Sequence, residues 1–257
     1  MSWVSAWRLA VGTLTVIPVQ PPSRVDRTVA GHAMLLAPLA VLPLAAVTAG
    51  IGWLAGLTAW PAPLPGLLVV AVLALGTRAL HLDGLADTVD GLGSGREQDR
   101  ALEIMRHGDV GPMGVVAVVL VVGVQAVAAT TLLNSVSDAV LLMIVIAISR
   151  SSLLTGCRAG VPAARPGGLG SAVAGSVSTP LGIGVGGVAA AILIGAVIAT
   201  GRPWWAGLLA VAAATLVTFA VVRLAVRRLG GITGDVLGAT VELTLTVLLL
   251  GITLAPI

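Results

Sequence analysis

Long runs of apolar residues, separated by short charged or turn-rich breaks, constrain this chain more than any other feature. Several runs reach or approach the ~20 residues that an α-helix needs to cross ~30 Å of hydrocarbon. Of the 257 residues, 57% are hydrophobic and only 10% are charged. The sequence therefore predicts an all-α, polytopic integral membrane protein, with a single membrane-embedded domain over residues 1–257.

Seven transmembrane helices are predicted from the apolar runs, near 31–59, 66–82, 112–133, 139–156, 181–200, 204–222 and 236–255. Residues 1–19 lack a basic region ahead of their apolar part and a small-residue cleavage site. They are predicted to stay on the protein as an interfacial or partly inserted helix. Cys157, the only cysteine, is predicted to be a buried thiol.

All 14 basic residues are arginines, and they exceed the 11 acidic residues only modestly, so no nucleic acid partner is expected. With residues 18–30 placed inside, ten arginines fall in predicted cytoplasmic segments and one, Arg202, in an external loop. The ten are Arg24, Arg27, Arg96, Arg100, Arg106, Arg158, Arg165, Arg223, Arg227 and Arg228. This distribution predicts a multi-pass protein of the cell membrane, in contact with lipid, with a cytoplasmic N-terminus and an external C-terminus.

The chemistry is predicted at the cytoplasmic face. The two longest predicted loops, 83–111 and 157–179, both lie there, and seven of the 11 acidic residues fall between Asp83 and Asp109. No serine–histidine, cysteine–histidine or zinc-ligand spacing points to another chemistry.

Three aspartates follow the second predicted span in HLDGLADTVDGLGSG, residues 81–95. Asp83, Asp87 and Asp90 are spaced i, i+4 and i+7, so on a helix they fall within an arc of ~60°. Crowded carboxylates repel one another unless a cation neutralises them, and Mg²⁺ binds through one or two carboxylates plus waters and phosphates. We predict a Mg²⁺ site here, with a solvated helix face as the alternative. His81 is predicted to orient Asp83, to act as a base, or to lie at the helix–water boundary.

A second acidic stretch, RRLGGITGDVLGATVEL at 227–243, begins the last predicted span. Asp235 and Glu242 share a helix face and are further candidate metal ligands, because ionisable groups in membrane segments are usually functional. They would lie ~10 Å apart along the axis, so one ion could contact both only if the helix start were bent. The alternative for Asp235 is simple complementarity to the helix dipole.

Arginines on the same face are candidate ligands for a diphosphate, because guanidinium groups match phosphate geometry. The candidates are Arg150, Arg158, Arg165, Arg227 and Arg228, together with the backbone of Gly168 beside Arg165. Membrane topology alone is an alternative explanation for their placement. Aspartates, arginines and glycine loops together favour phosphoryl or nucleotidyl transfer to or from a diphosphate.

HLDGLADTVDGLGSGREQDRALEIMRHGDVGPMG, followed by ARPGGLG and LGGITGDVLGATVEL, resembles the cobalamin synthase family, the adenosylcobinamide-GDP ribazoletransferases. The resemblance covers almost the whole chain in order and spacing. It implies a Mg²⁺-dependent enzyme of the cell inner membrane, active in the late steps of cobalamin biosynthesis. Such an enzyme joins adenosylcobinamide-GDP to α-ribazole or its 5′-phosphate and releases GMP.

Carried onto this chain, the resemblance places His81, Asp83, Asp87 and Asp90 in the signature site. It places Arg165 and Gly168 in a second loop, and Gly234, Asp235 and Glu242 in a third. A carboxylate or His81 would accept the proton of the attacking hydroxyl. A homo-oligomer is left open.

The sequence leaves two other functions as alternatives. A CDP-alcohol phosphotransferase also uses clustered aspartates on helices, but its usual motif has an arginine near the place of Asp87. A cation- or proton-coupled transporter predicts charges near mid-membrane and two matching halves, whereas this chain shows no internal repeat.

Overall fold

The computed structural model describes residues 2–254, and twelve α-helices account for most of that range. They are α1 Ser2–Leu14, α2 Arg27–Gly56, α3 Pro63–Gly76, α4 Leu80–Gly93, α5 Gln98–Ile104, α6 Pro112–Thr130, α7 Val136–Ser149, α8 Ser152–Gly156, α9 Gly168–Val173, α10 Thr179–Ala199, α11 Trp204–Leu229 and α12 Gly234–Thr253. Only isolated β-bridges occur between the described residues. The all-α prediction is confirmed.

Six stretches are long and apolar enough to cross a membrane: α2, α6, α7 continued by α8, α10, α11 and α12. They correspond to six of the seven predicted spans, with boundaries that differ by a few residues. The polytopic membrane architecture is therefore confirmed.

The predicted span 66–82 is wrong as a single straight helix. Helix α3 ends at Gly76, and α4 begins at Leu80 after a bend of 92°. Arg78 and Ala79 make this bend, with left-handed φ values of 56° and 54° that non-glycine residues rarely adopt. Neither α3 nor α4 is long enough to cross a membrane alone, but the two together are. They therefore form a broken span or a re-entrant segment. The aspartates consequently lie on a separate helix, and much of the predicted loop 83–111 is helical.

Contacts with the N-terminal segment hold this bend. The Arg78 guanidinium donates hydrogen bonds to the carbonyl oxygens of Gly12, at 2.9 Å, and Thr13, at 3.2 Å. The backbone N–H of Val16 donates to the carbonyl oxygen of Gly76 at 2.8 Å. Arg78 therefore gains partners in the left-handed conformation that offset its cost.

Helix α1 lies along α2 and is too short to cross a bilayer at ~1.5 Å per residue. Its buried face consists of Ala6, Ala10, Val11 and Leu14, while Trp3, Val4 and Trp7 are exposed. Tryptophan favours the membrane–water boundary, so α1 has the features of the predicted interfacial helix.

Helix α12 occupies the centre of the bundle, in contact with α4, α6, α7, α8, α9 and α11. At one end of α11, a buried ion pair joins the bundle: Arg202 Nη1 lies 2.6 Å from Asp138 Oδ1. Asp138 also accepts a 2.8 Å hydrogen bond from the Ser135 hydroxyl, the N-cap of α7. The opposite end of α11 leads into α12 and the predicted site.

Candidate active site

The two acidic motifs meet because α4 and α12 cross at glycines. A Cβ atom on Gly84 would lie 2.7 Å from the carbonyl oxygen of Asp235, and one on Gly238 would lie 3.2 Å from the Cα of His81. Only glycine permits such a close approach of backbones at Gly84. The crossing brings Asp83, which precedes Gly84, beside the first turn of α12.

The glycine-rich loop that carries Arg165 packs on the segment before α12. The Ile232 N–H donates to the Pro162 carbonyl, and the Ala164 N–H donates to the Ile232 carbonyl, each at 2.9 Å. A Cβ on Gly170 would lie 2.8 Å from the Cα of Thr233, so this contact also requires glycine. All three motifs named from the sequence are therefore neighbours.

Arg165 and Asp235 face each other where these motifs meet. Arg165 Nη2 lies 3.6 Å from Asp235 Oδ2, and the two side chains are 24% and 23% exposed. The Thr233 hydroxyl donates to the same carboxylate oxygen at 3.1 Å and accepts a hydrogen bond from the Val236 N–H. Thr233 is the N-cap of α12, a role that the sequence analysis missed although Thr before an apolar helix is a usual capping signal.

Asp83 and Asp87 extend the acidic surface around this ion pair. Asp83 is exposed and Asp87 is half-buried. The Asp87 carboxylate lies within electrostatic range of Asp83, Asp235 and Arg165. Three carboxylates thus share one nearby guanidinium, so this surface, which we call the acidic mouth, retains negative charge.

A cavity of about 190 Å³ opens beside the acidic mouth. Its more exposed lining carries the charged side chains of Arg165 and Asp235 beside Gly167, Gly168 and Leu80, and its buried lining includes His81 and apolar side chains. Gly167 and Gly168 have φ values of 81° and 75°, which glycine adopts readily. The cavity therefore joins a polar entrance to an apolar interior.

The five predicted metal ligands do not form one ligand sphere. Among residues 2–254, no group of three or more histidine, cysteine, aspartate or glutamate side chains is close enough to hold an ion by itself. Asp83 and Asp87, one turn apart, remain exposed enough to receive an ion from solvent, whereas Asp90 and Glu242 have other partners.

Asp90 binds the N-terminus of α6. Its carboxylate accepts hydrogen bonds from the backbone N–H groups of Gly111, at 2.7 Å, and Gly114, at 2.9 Å. These are among the N–H groups that a helix start leaves without an internal partner. Asp90 thereby fixes the loop 94–111 against α4.

Glu242 lies inside the bundle, away from the acidic mouth. Helix α12 is continuous from Gly234 to Thr253, so no bend brings Glu242 toward Asp235. The Gln125 amide donates to the Glu242 carboxylate at 2.8 Å and lies 3.1 Å from the Thr246 hydroxyl. The i, i+7 spacing puts Glu242 and Asp235 on the same helix, but Glu242 lies further from the acidic mouth, inside the bundle.

Arg150 is fully buried, and it does not border the cavity. Its Nη1 donates to the Ile146 carbonyl at 2.7 Å and to the Ser149 hydroxyl at 2.9 Å. Its positive charge faces Glu242 and His81. Arg150 therefore belongs to the bundle interior rather than to the surface at which the sequence analysis placed it.

The remaining predicted arginines lie outside the cavity lining. Arg158 stacks its guanidinium over the Phe219 ring at 5.6 Å, and Arg228 Nη2 donates to the Arg96 carbonyl at 3.3 Å. Arg227 is exposed in the last turn of α11. Of the predicted diphosphate-binding arginines, Arg165 alone borders this cavity.

His81 is only 2% exposed, so of its three predicted roles the position at the helix–water boundary is wrong. Helix α4 turns back toward the bundle after the 92° bend and carries His81 inward. Neither ring nitrogen has a hydrogen-bond partner within the described residues, and the side chain lines the cavity.

Cys157 is fully buried, as predicted. Burial raises the pKa of its thiol to about 12, so the nucleophilic thiolate is not formed near neutral pH. Cysteine chemistry is therefore not part of the site.

A bundle of membrane helices with an acidic mouth beside an arginine–glycine loop is the arrangement of an integral-membrane group-transfer enzyme. The cobalamin-5-phosphate synthase family model matches residues 6–253. The chain belongs to this family, and it is a transferase of cobalamin biosynthesis.

Individual relatives agree with the family match. An adenosylcobinamide-GDP ribazoletransferase of Nocardioides sp. (strain JS614) is 47% identical over 245 residues, which cover 95% of this chain and 96% of the relative. One of Frankia casuarinae is 39% identical over 264 residues, covering 95% and 92%. One of Rhizobium meliloti is 38% identical over 221 residues, covering 83% and 82%. No solved structure matches the chain significantly.

Proposed function

We propose that this chain joins adenosylcobinamide-GDP to α-ribazole, or to α-ribazole 5′-phosphate, and releases GMP. The similar proteins named adenosylcobinamide-GDP ribazoletransferase support this activity. The observation that carries the proposal is the meeting of HLDGLADTVDG, ARPGGLG and GITGD at one cavity, with Arg165 and Asp235 facing each other at 3.6 Å. Neither a CDP-alcohol phosphotransferase nor a transporter is favoured by these contacts.

The reaction is an in-line displacement at phosphorus. A ribose hydroxyl oxygen of α-ribazole forms a bond to the phosphorus that carries the cobinamide arm. The bond from that phosphorus to the bridging oxygen breaks, and GMP leaves with this oxygen and its electron pair. The hydroxyl proton passes to a side chain at the site. Positioning and charge neutralisation are the main contributions that a protein makes to such a transfer.

Arg165 and the glycine loop bind the diphosphate. Arg165 is anchored by Asp235 yet remains partly exposed at the cavity entrance, so its other N–H groups can donate to phosphate oxygens. The adjacent Gly167 and Gly168 leave the backbone unshielded by side chains, as in loops that receive anions. Charge on the departing GMP is neutralised at this side of the site.

We assign Mg²⁺ to Asp83 and Asp87. These carboxylates lie one helical turn apart and are accessible, and within residues 2–254 Arg165 is the one guanidinium near the three carboxylates of the acidic mouth. This donor set fits Mg²⁺, which needs only one or two protein carboxylates when phosphates and waters complete its coordination. The ion, when bound, supplies further charge neutralisation for the transferring phosphoryl group.

Two titratable groups border the cavity and can accept the hydroxyl proton. Asp235 lies at the polar entrance, and His81 lies in the buried interior. A proton acceptor must lie within hydrogen-bond reach of the attacking hydroxyl, so the binding position of α-ribazole decides between them.

We place the site at the cytoplasmic face of the inner membrane. The support is the arginine distribution, in which ten of 14 arginines lie in segments connected to the site end of the bundle. GMP would then be released into the cytoplasm.

The assignment of the acids is tested by GMP release from the purified protein in proteoliposomes. Asp83→Asn and Asp87→Asn are expected to lower kcat by about 10²–10³-fold, as when one electrostatic group is removed from an active site. Asp99→Asn is the matched control, because Asp99 is an exposed acid in the first turn of α5. Near-normal turnover by folded Asp83 and Asp87 variants would refute the assignment.

A further inference from the structure

The interior of the cavity is a compartment of a different character from its entrance. Its buried lining consists of His81, Thr233, two glycines and five apolar side chains, among them Leu153 and Leu237. These residues come from several separate segments, so the compartment is built by the packing of the bundle. Apart from the Thr233 hydroxyl, which already bonds Asp235, His81 supplies the only polar side chain that residues 2–254 place in this buried lining.

The volume of the cavity limits what can enter it. An engineered apolar cavity of roughly 150 Å³ binds a benzene ring, while pockets for drug-sized ligands start near ~300 Å³. At about 190 Å³ for its entrance and interior together, this cavity suits a group no larger than a flat pair of fused rings. A corrin macrocycle or a whole nucleotide would not fit.

Among the groups of the two substrates, the base of α-ribazole matches this compartment. It is a methylated benzimidazole: two fused rings with an apolar edge, no N–H once attached to ribose, and one unsubstituted ring nitrogen. Guanine carries several donors and acceptors, and each one buried without a partner would cost ~1–3 kcal/mol. Resting on the proposed function, we propose that the interior of the cavity binds the aromatic base of α-ribazole and that His81 donates a hydrogen bond to its free ring nitrogen.

His81 supplies the second, independent observation. Both of its ring nitrogens are buried without a partner among the described residues, which is rare for polar groups in folded proteins. A neutral histidine ring carries one N–H and one acceptor nitrogen, so an acceptor in the compartment would satisfy the N–H. The base nitrogen is such an acceptor.

This orientation also places the reacting atoms. With the base in the interior, the ribose lies toward the entrance, where Arg165 and Asp235 are found. His81 is then engaged with the base, and Asp235 accepts the proton of the attacking hydroxyl.

A substrate analogue isolates the hydrogen bond. The analogue is the α-riboside of 5,6-dimethylindole, in which a C–H replaces the free ring nitrogen. Wild-type protein is expected to prefer α-ribazole over this analogue by about tenfold or more in kcat/KM, the effect of one buried hydrogen bond. His81→Leu is expected to lose that preference, and the loss should show as a higher KM for α-ribazole. His81→Gln retains a hydrogen-bond donor and is expected to recover part of the preference.

Two results would overturn the role of His81. One is a His81→Leu protein that keeps the wild-type preference for the ring nitrogen. The other is a His81→Leu protein that loses kcat equally with both ribosides and loses one limb of the pH–rate profile, because that pattern identifies a proton acceptor.

Leu153 tests the location of the base without touching His81. Leu153→Phe reduces the space in the compartment and is expected to raise KM for α-ribazole at least tenfold while leaving KM for adenosylcobinamide-GDP unchanged. Leu154→Phe is the matched control, since Leu154 is equally buried in α8 but does not line the cavity. Calorimetric titration with α-ribazole alone should show the same order of affinities.

The outcomes separate this proposal from the proposed function. No GMP release by the wild-type protein from the two substrates would refute the transferase activity itself. Turnover by the wild-type protein, with equal KM values for α-ribazole in the Leu153 and Leu154 variants, would refute the base compartment alone.

Discussion

Gly84→Ala is the substitution that most directly probes the crossing of α4 and α12. The added Cβ would lie 2.7 Å from the carbonyl oxygen of Asp235 and 2.9 Å from its Cα, whereas ordinary contacts begin at 3.4 Å. The obstacle is backbone, so the helices must separate by about 0.7 Å. Overpacking of this kind costs ~1–3 kcal/mol, against which alanine contributes ~1 kcal/mol of helix propensity.

The expected functional effect is larger than the effect on stability. A displacement of ~1 Å at an active site can lower the rate by ~10²-fold, so the separation of Asp83 from Asp235 should lower kcat by tenfold or more. GMP release in proteoliposomes measures kcat, and thermal unfolding in detergent measures stability.

Gly93→Ala is the control for this experiment. Gly93 lies on the same helix, but its added Cβ would approach Met113 no closer than 3.6 Å. Gly93→Ala should therefore retain kcat and stability. If Gly84→Ala turned over as fast as Gly93→Ala, the close crossing would not be what positions the acids, and the reasoning would be refuted.

Three further predictions concern residues outside the cavity. Asp90→Asn should lower the free energy of unfolding by ~1–2 kcal/mol, because the α6 N-terminus loses a charged acceptor. The Mg²⁺ concentration for half-maximal activity should stay unchanged. A large shift in that concentration would contradict the structural role of Asp90. Arg202→Met should destabilise the protein by ~3–5 kcal/mol, since Asp138 would remain buried without its partner, and Arg202→Met combined with Asp138→Leu should recover stability in thermal unfolding. A double variant no more stable than the single one would refute that explanation. Cys157 should resist maleimide at pH 7.5 until the protein unfolds, because the thiol is buried and its pKa is raised to about 12. Mass spectrometry measures the labelling, and rapid labelling of the folded protein would exclude this burial.

The membrane helices could be predicted from the sequence because hydropathy and length alone determine whether a segment crosses a bilayer. The bend between α3 and α4 could not, because the left-handed backbone of Arg78 and Ala79 depends on the contact of Arg78 with α1. An arginine in that conformation has no local sequence signal, unlike glycine.

The acidic mouth was predictable only in part, because its contacts join segments that are distant in the sequence. Helical spacing and the arginine distribution placed Asp83, Asp87, Arg165 and Asp235 at one end of the bundle, but not their mutual contacts. The burial of His81 follows from the bend between α3 and α4, where the apolar run predicts one straight span. The helical spacing of Asp90 predicted a metal ligand. Its actual partners, the N–H groups of Gly111 and Gly114, lie more than 20 residues away in the sequence.

The ion pair of Asp138 and Arg202 was also missed, although a signal existed. They are the only acid and the only arginine in the loops predicted to be external. Two opposite charges in an otherwise uncharged environment suggest a pair, because buried charges usually require one.

The central claim is that three distant motifs form one transferase site around Arg165, and its most direct measurement is the stoichiometry of GMP release. Wild-type protein in proteoliposomes should release one GMP for each α-ribazole incorporated, and only when both substrates are present. Arg165→Met should lower this rate by ~10²-fold or more, because a charge-neutralising group at the diphosphate is lost. GMP release that does not depend on α-ribazole, or a folded Arg165→Met protein with unchanged turnover, would contradict the account.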